Sequence, residues 1–338
     1  MKLAILLVSC CTLLRAATLR EFIYSSAPFA SAHASTVVEL RNGDVLSAWF
    51  GGSAEGHSDV AIWSSRRSES GWSAPVELAR EPDVACYNPV LFYARNGRLW
   101  LYYKFGPRPS DWTAARRFSD DDGKTWSAVE HLAAGIYGPI RAKPLVRQDG
   151  VIVSGSSVES YHSWAAWIER SADNGETWRR IGPITVPGER FSLFTKTYGI
   201  IQPSVVSMGG NKLRLYARST PQIGRICIAD SVDGGLTWTS ARPIDVPNPN
   251  SGIDAVRLRD GRIVLVYNNT TTGRTPLNLA VSRDGVHFRM FDTLEDEPGE
   301  YSYPAMIQAK NGDLDITYTW KRQRIRFVRF PLSEIPGN

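Results

Sequence analysis

Cysteine is scarce in this chain of 338 residues: there are four, and two of them, Cys10 and Cys11, fall in the first seventeen positions. The other two, Cys86 and Cys227, lie far apart, each inside an apolar strand-like run, which points to buried thiols rather than a disulfide. No Cys/His spacing suggests a zinc site. No cofactor is expected, and a structural Ca²⁺ is neither called for nor ruled out. Helical periodicity is nearly missing, which excludes the helix bundles and the alternating α/β folds. Past the N-terminus no apolar run is long enough to cross a membrane. Charge of one sign is not concentrated either: 39 Lys and Arg against 34 Asp and Glu leave a net +5, with no basic run of five or more. That argues against a nucleic-acid partner and suits a small, mildly acidic substrate.

The first seventeen residues, MKLAILLVSCCTLLRAA, carry Lys2, an apolar run from Leu3 to Leu14 and small residues at Ala16 and Ala17. This is the pattern of a secretory signal peptide, so residues 1–17 are expected to be removed, leaving 18–338 as one domain of a secreted, periplasmic or cell-surface monomer. Arg15 departs from the usual cleavage pattern. The alternative is a lipoprotein acylated at Cys10 of Leu7-Val8-Ser9-Cys10.

What is abundant is repetition. An octet recurs as SDDDGKTW from Ser119, SADNGETW from Ser171 and SVDGGLTW from Ser231, with SRDGVHF from Ser282 a worn copy. A second signal is a turn pair between two apolar runs, at Asn42-Gly43, Asn96-Gly97, Asp149-Gly150, Gly209-Gly210, Asp260-Gly261 and Asn311-Gly312. The second residues of these pairs are spaced 54, 53, 60, 51 and 51 residues apart. Each is a hairpin signal, and each octet follows the third strand of its unit. Six such units predict an all-β fold, a six-bladed β-propeller. The last unit holds only three strands, ending RIRFVRF, and the stretch around Glu21–Ser25 is expected to supply its fourth. The octet reads as scaffold, because sites in four different units cannot all face one substrate.

In such a ring the residues just before each first strand converge on one pocket. They are His33 or Ser35, Asn88, Lys143, Gln202, Asp254 and Tyr303, four of them followed by Pro. Second-strand ends add Arg218 and Arg274, two guanidiniums able to fork a carboxylate. The loop GGSAEGHSD offers Glu55, His57 and Asp59 as proton donors, and Lys104, Arg141, Glu159 and His162 approach the same mouth.

The octet is the Asp box, and with it the chain resembles the sialidase (neuraminidase) superfamily over its whole length beyond the leader. The resemblance implies a retaining glycosidase with an arginine triad for the substrate carboxylate, a Tyr nucleophile paired with a Glu, and a loop Asp as acid. Tyr303 in SYPAM resembles the nucleophile, and Arg218 and Arg274 resemble two of the arginines. His33 stands where the first arginine is expected, Gln202 replaces the Glu, and no second arginine stands near Gly52. The function implied is removal of a terminal acidic sugar from a glycan. The rivals are a lyase on uronic-acid glycosides, with Tyr303 or a histidine as base, and a carbohydrate-binding propeller without catalysis.

Overall fold

The structure, a computed structural model, describes residues 17–188 and 197–337. The expected signal peptide therefore lies outside the described residues except for Ala17. The expected all-β character is met: among the described residues helical structure is confined to two single-turn 3-10 segments at Pro109–Asp111 and Leu332–Glu334.

The strands form six antiparallel units in chain order. The first holds Ser31–Glu39, Val45–Gly52 and Ala61–Ser68, with an edge broken into Gly71–Trp72 and Val76–Ala79. The second holds Cys86–Tyr93, Leu99–Phe105, Thr113–Ser119 and Glu130–His131. The third holds Leu145–Val146, Ile152–Ser160, Ser163–Ser171 and Arg179–Ile184. The fourth holds Tyr198–Gly209, Lys212–Ser219, Arg225–Ser231 and Arg242–Pro247. Units three and four are joined by a short parallel pairing of Ser163 and Trp164 with Tyr198 and Gly199. The fifth holds Asp254–Arg257, Ile263–Tyr267, Leu277–Ser282 and Arg289–Glu295. The sixth holds Tyr301–Gln308, Leu314–Trp320 and Arg324–Phe330, and its outer strand is Leu19–Phe22 from the other end of the chain. That pairing runs from Leu19 opposite Arg329 to Phe22 opposite Arg326, a little before the expected Glu21–Ser25.

The second strands of the units are rich in β-branched and aromatic residues and mostly buried on both faces, as in Val45–Gly52, where every residue is buried, whereas outer strands such as Arg179–Ile184 are largely exposed. Six apolar clusters lie between consecutive units. Leu46 and Ala48 of the first unit pack with Leu91 and Leu99 of the second, and Phe92 and Trp100 of the second pack with Ile152 of the third. At the other end Ile325 and Phe327 of the sixth unit pack with Val37 and Trp49 of the first. The hairpin turns use Gly where the backbone is left-handed, as at Gly97 (φ 86°) and Gly312 (φ 101°), which a side chain would strain.

The Asp boxes staple these units together. In the third unit Asp173 Oδ1 accepts from the Thr177 N–H at 2.9 Å and from the Ser171 hydroxyl at 2.7 Å. Its Oδ2 accepts from the Thr177 hydroxyl at 2.5 Å. The tightened turn then presents carbonyls to the preceding unit: Tyr102 and Arg116 donate to Gly175 O at 2.7 and 2.6 Å, and Trp100 Nε1 donates to Asn174 O at 2.8 Å. Tyr216 makes the same bond to Gly285 O at 2.8 Å. Ser119 pairs with Leu99, at the turn end of its unit, so the boxes sit far from the strand starts where the pocket residues lie.

Candidate functional site

Proline shapes the site first. Pro89, Pro203 and Pro304 lack the N–H that a ladder needs, and the register of the inner strands breaks there, between Tyr87 and Val90, Ile201 and Ser204, and Ser302 and Ala305. A matching break falls between His33 and Thr36 in the first unit. One residue in each break is left-handed: Asn88 (φ 42°), Gln202 (φ 54°), Tyr303 (φ 50°) and Ala34 (φ 54°). Non-glycine residues in this region store strain, and such residues concentrate at functional sites. The first unit therefore uses Ala34 at this position, with His33 and Ser35 on either side, a correction to the expected alignment.

Tyr303 is the centre of what these breaks bring together. Its hydroxyl accepts from Arg218 Nη1 at 2.7 Å and from Gln202 Nε2 at 3.4 Å. Three guanidiniums surround its ring, those of Arg141, Arg274 and Arg218, with centroid distances of 5.3, 5.6 and 5.7 Å. Arg218 is 7% exposed, donates from Nε to Asn250 Oδ1 at 2.7 Å, and lies 5.6 Å from the Trp164 ring. The His33 ring is 4.3 Å from that of Tyr303. Burial holds the His33 pKa well below the usual imidazole value, and Arg322, Arg274, Arg141 and Arg218 push it the same way. His33 is therefore neutral and a poor base: a proton on it would be a fifth cation among four.

Sequence reasoning missed Arg322. It stands in the tip between the last two strands, where Lys321 (φ 51°) and Arg322 (φ 55°) make a turn that reads as solvated polar surface. Its Nε donates to both oxygens of Glu300 at 3.0 Å, and its Nη1 pairs with Glu55 of the first-unit loop. Glu300 also accepts from Arg274 Nη1 at 2.7 Å, so one carboxylate aims two arginines toward the pocket. Burial would raise the Glu300 pKa, but Arg322 and Arg274 hold it below the ordinary value. The only sequence signal for Arg322 was indirect, the missing arginine at the first strand.

Other expected residues are used differently. Asp254 is engaged by the protein itself: it accepts from Lys143 Nζ at 2.8 Å, the Ser204 hydroxyl at 2.7 Å and the Met306 N–H at 2.9 Å, and is buried. Lys143 is consumed by that contact and by Ala255 O at 3.0 Å. Lys104 is fully buried, donating to Pro139 O. Asp59 fastens its own loop, accepting from the Ser53 N–H at 2.8 Å and hydroxyl at 2.9 Å, and His57 Nδ1 is 2.9 Å from the same hydroxyl. His162 (φ 65°) sits on a hairpin tip with its ring 3.9 Å from that of Tyr161. Asn88 is buried, and its amide nitrogen has no partner among the described residues. Glu159 pairs across its hairpin with Trp164, the residue that flanks Arg218. Burial raises the Glu159 carboxyl pKa, Arg218 opposes that, and Glu55 adds to it. The cysteines are as expected: Cys86 and Cys227 are free and buried.

The arrangement offers an anion clamp against a phenol oxygen that is met by N–H donors, with one carboxyl held toward its protonated form. A family described as a BNR repeat-like domain matches residues 43–316. No curated protein matches the chain. Among solved structures, a protein of unknown function from Dyadobacter fermentans superposes with a TM-score of 0.77 at 17% identity, covering 92% of this chain and 97% of that one. The NanB sialidase from Streptococcus pneumoniae gives 0.76 at 13% identity over 94% of this chain and 71% of that one. The intramolecular trans-sialidase from Ruminococcus gnavus gives 0.70 at 13% identity over 94% and 98%. At these identities the likeness is one of fold.

Proposed function

We propose, from the premise that the chain belongs to the BNR repeat-like domain family, that it is a closed six-bladed β-propeller acting as a secreted, sialidase-like glycoside hydrolase that removes a terminal acidic sugar from glycans. Packing of the sixth unit against the first, with Leu19–Phe22 as its outer strand, supports closure. Secretion rests on the leader pattern alone. The observation that carries the activity is the Tyr303 hydroxyl held at 2.7 Å by Arg218 inside a ring of guanidiniums. Arg218, Arg274 and Arg322 grip the substrate carboxylate, Arg322 standing in for the arginine absent from the first strand. The Tyr303 oxygen attacks the anomeric carbon as the glycosidic C–O bond breaks, and a phenol suits attack beside an anionic carboxylate. Glu159 gives its proton to the leaving oxygen, a role favoured by a carboxyl whose pKa burial raises. Glu55, released when the substrate takes Arg322, accepts the phenol proton, since Gln202 has no basic group and His33 is electrostatically barred. Water, giving its proton to the Glu159 carboxylate left by the first step, then displaces Tyr303, which regains its proton from Glu55.

The test is incubation with a panel of sialosides and uronic-acid glycosides, with released monosaccharides separated and identified. Release of an acidic sugar that disappears in Arg218→Ala supports the reading, and no release from any acidic glycoside overturns it. One observation favours a second reading: Gln202, not a carboxylate, is the side chain that bonds the Tyr303 hydroxyl beside Arg218. The Tyr303 oxygen, its own proton passed to Glu55, can take the proton α to a clamped carboxylate while the glycosidic C–O bond at the β carbon breaks and Glu159 protonates the departing oxygen, making a uronate lyase. Its product carries a new double bond and absorbs in the ultraviolet, which separates the two.

A further inference from the structure

Arg141 was expected to hold substrate, yet its nitrogens are turned inward. It is 3% exposed, and its Nη1 donates to Ile253 O while its Nη2 donates to Pro304 O. Those acceptors belong to two other units, the fifth and the sixth. The Pro304 carbonyl lies in the break between Ser302 and Ala305, where the ladder to the neighbouring strand is interrupted. It is also the carbonyl next to Tyr303, the residue in the strained left-handed conformation. The guanidinium lies 5.3 Å from the Tyr303 ring centroid, so it meets the backbone of Pro304 and the ring of Tyr303, its neighbour in sequence.

The segment leading to Arg141 is itself clamped. Buried Glu169 accepts from the N–H groups of Tyr137 at 3.1 Å and Gly138 at 2.6 Å, and from the Ser156 hydroxyl at 2.8 Å. Lys104 Nζ takes the Pro139 carbonyl, and the Ile140 N–H donates to Gly155 O at 3.0 Å. A charged strut therefore crosses from a fixed segment of the third unit to the peptide that follows Pro304, one residue beyond Tyr303. A guanidinium is suited to this, because its planar fork reaches two carbonyls at once.

We propose that Arg141 is a positioning residue for Tyr303: its two carbonyl bonds hold the break around Pro304 and so keep the phenol oxygen where Arg218 meets it. The kinetic consequence rests on the hydrolase reading above, whereas the structural consequence does not. Removing the donors frees a strained residue to relax, and displacement of a reacting group by about 1 Å costs roughly a hundredfold in rate. Substrate binding is little affected, since Arg141 offers no free nitrogen fork to a ligand.

The experiment uses Arg141→Met, which keeps length without donors, and Arg141→Lys, which keeps one donor. A crystal structure of Arg141→Met is expected to show Tyr303 out of the left-handed region and its hydroxyl away from Arg218, with no substrate needed. On the acidic glycoside cleaved by the wild type, kcat is expected to fall roughly a hundredfold with KM within about threefold, and Arg141→Lys to recover part of kcat. If Arg141→Met does not fold, the Lys variant carries both measurements. Tyr303 unmoved with kcat unchanged overturns the proposal. A rise in KM at constant kcat also overturns it and makes Arg141 a substrate ligand. If the wild type cleaves no acidic glycoside, the hydrolase reading fails and the Tyr303 conformation in the variant alone decides the positioning role.

Discussion

Replacing Arg218 by Ala is the most informative single perturbation, because the side chain serves both fold and site. It is 7% exposed and makes three bonds, to the Tyr303 hydroxyl at 2.7 Å, Asn250 Oδ1 at 2.7 Å and Gln202 Oε1 at 3.3 Å. Each acceptor left unpaired costs about 1–3 kcal/mol where water cannot reach it. Over three acceptors, a total near the low end of that sum, about 3 kcal/mol, is expected in denaturant unfolding. The effect on catalysis is larger in kind. A charge-assisted pair to a clamped carboxylate in a shielded site contributes about 2–4 kcal/mol to the transition state. At about 1.4 kcal/mol per tenfold, that is a loss of roughly thirty- to a thousandfold in kcat/KM. Arg218→Lys is expected to recover little, since one ammonium cannot meet Asn250, Tyr303 and substrate together. The assay compares a free-acid glycoside with its neutral methyl ester for wild type and variant. The wild type should prefer the acid strongly, and the variant should lose most of that preference. If the ester is turned over as well as the acid by the wild type, or if Arg218→Ala loses equally on both, no carboxylate clamp exists at this residue.

Three further outcomes follow from other parts of the molecule. Asp173→Ala removes the acceptor of three hydrogen bonds in an Asp box, so thermal unfolding should show a loss of about 1–2 kcal/mol with turnover per folded molecule unchanged; a stable but inactive variant contradicts the scaffold role. Glu159→Gln should lower kcat about a hundredfold or more and remove the alkaline limb of the pH–rate profile, which in the wild type should lie above an ordinary Glu because burial raises this carboxyl; a full-rate Gln variant rules Glu159 out as the acid. Burial lowers the Lys104 pKa to about 7, with Glu169 opposing, while the unfolded lysine titrates near its ordinary value. Between these two values the unfolded chain holds a proton the native one lacks, so stability should rise with pH by up to about 1.4 kcal/mol per unit; below the lower value the slope vanishes. Lys104→Met should flatten that rise in unfolding measured across the alkaline range, and an unchanged slope would falsify the assignment.

The sequence by itself determined the all-β class, the recurring hairpins and the internal bonding of the octets, because these are local. A Gly-turned hairpin is written in adjacent residues, and an Asp box closes bonds within a few positions, Asp173 to Thr177 for instance. Even the N-terminal strand in the last unit was legible, since a three-stranded final repeat leaves one edge to cover. That Tyr303, Arg218 and Arg274 meet was legible for the same reason, since they stand at the strand ends of a repeated unit. What only the tertiary structure decided is how side chains from different units share their charges. Asp254 and Lys143 neutralise each other across units, Asp59 is spent on Ser53, and Arg141 is spent on two carbonyls. Conversely Arg322, which reads as a solvated turn, reaches Glu300 and the first-unit loop. A buried ion is stable only with a partner, and partners separated by a hundred residues or more along the chain, such as Lys143 and Asp254, leave no periodic mark in the sequence. The pairing of charges around Tyr303 is set by the packing of the units, and that packing decides which of many polar residues are neutralised within the fold.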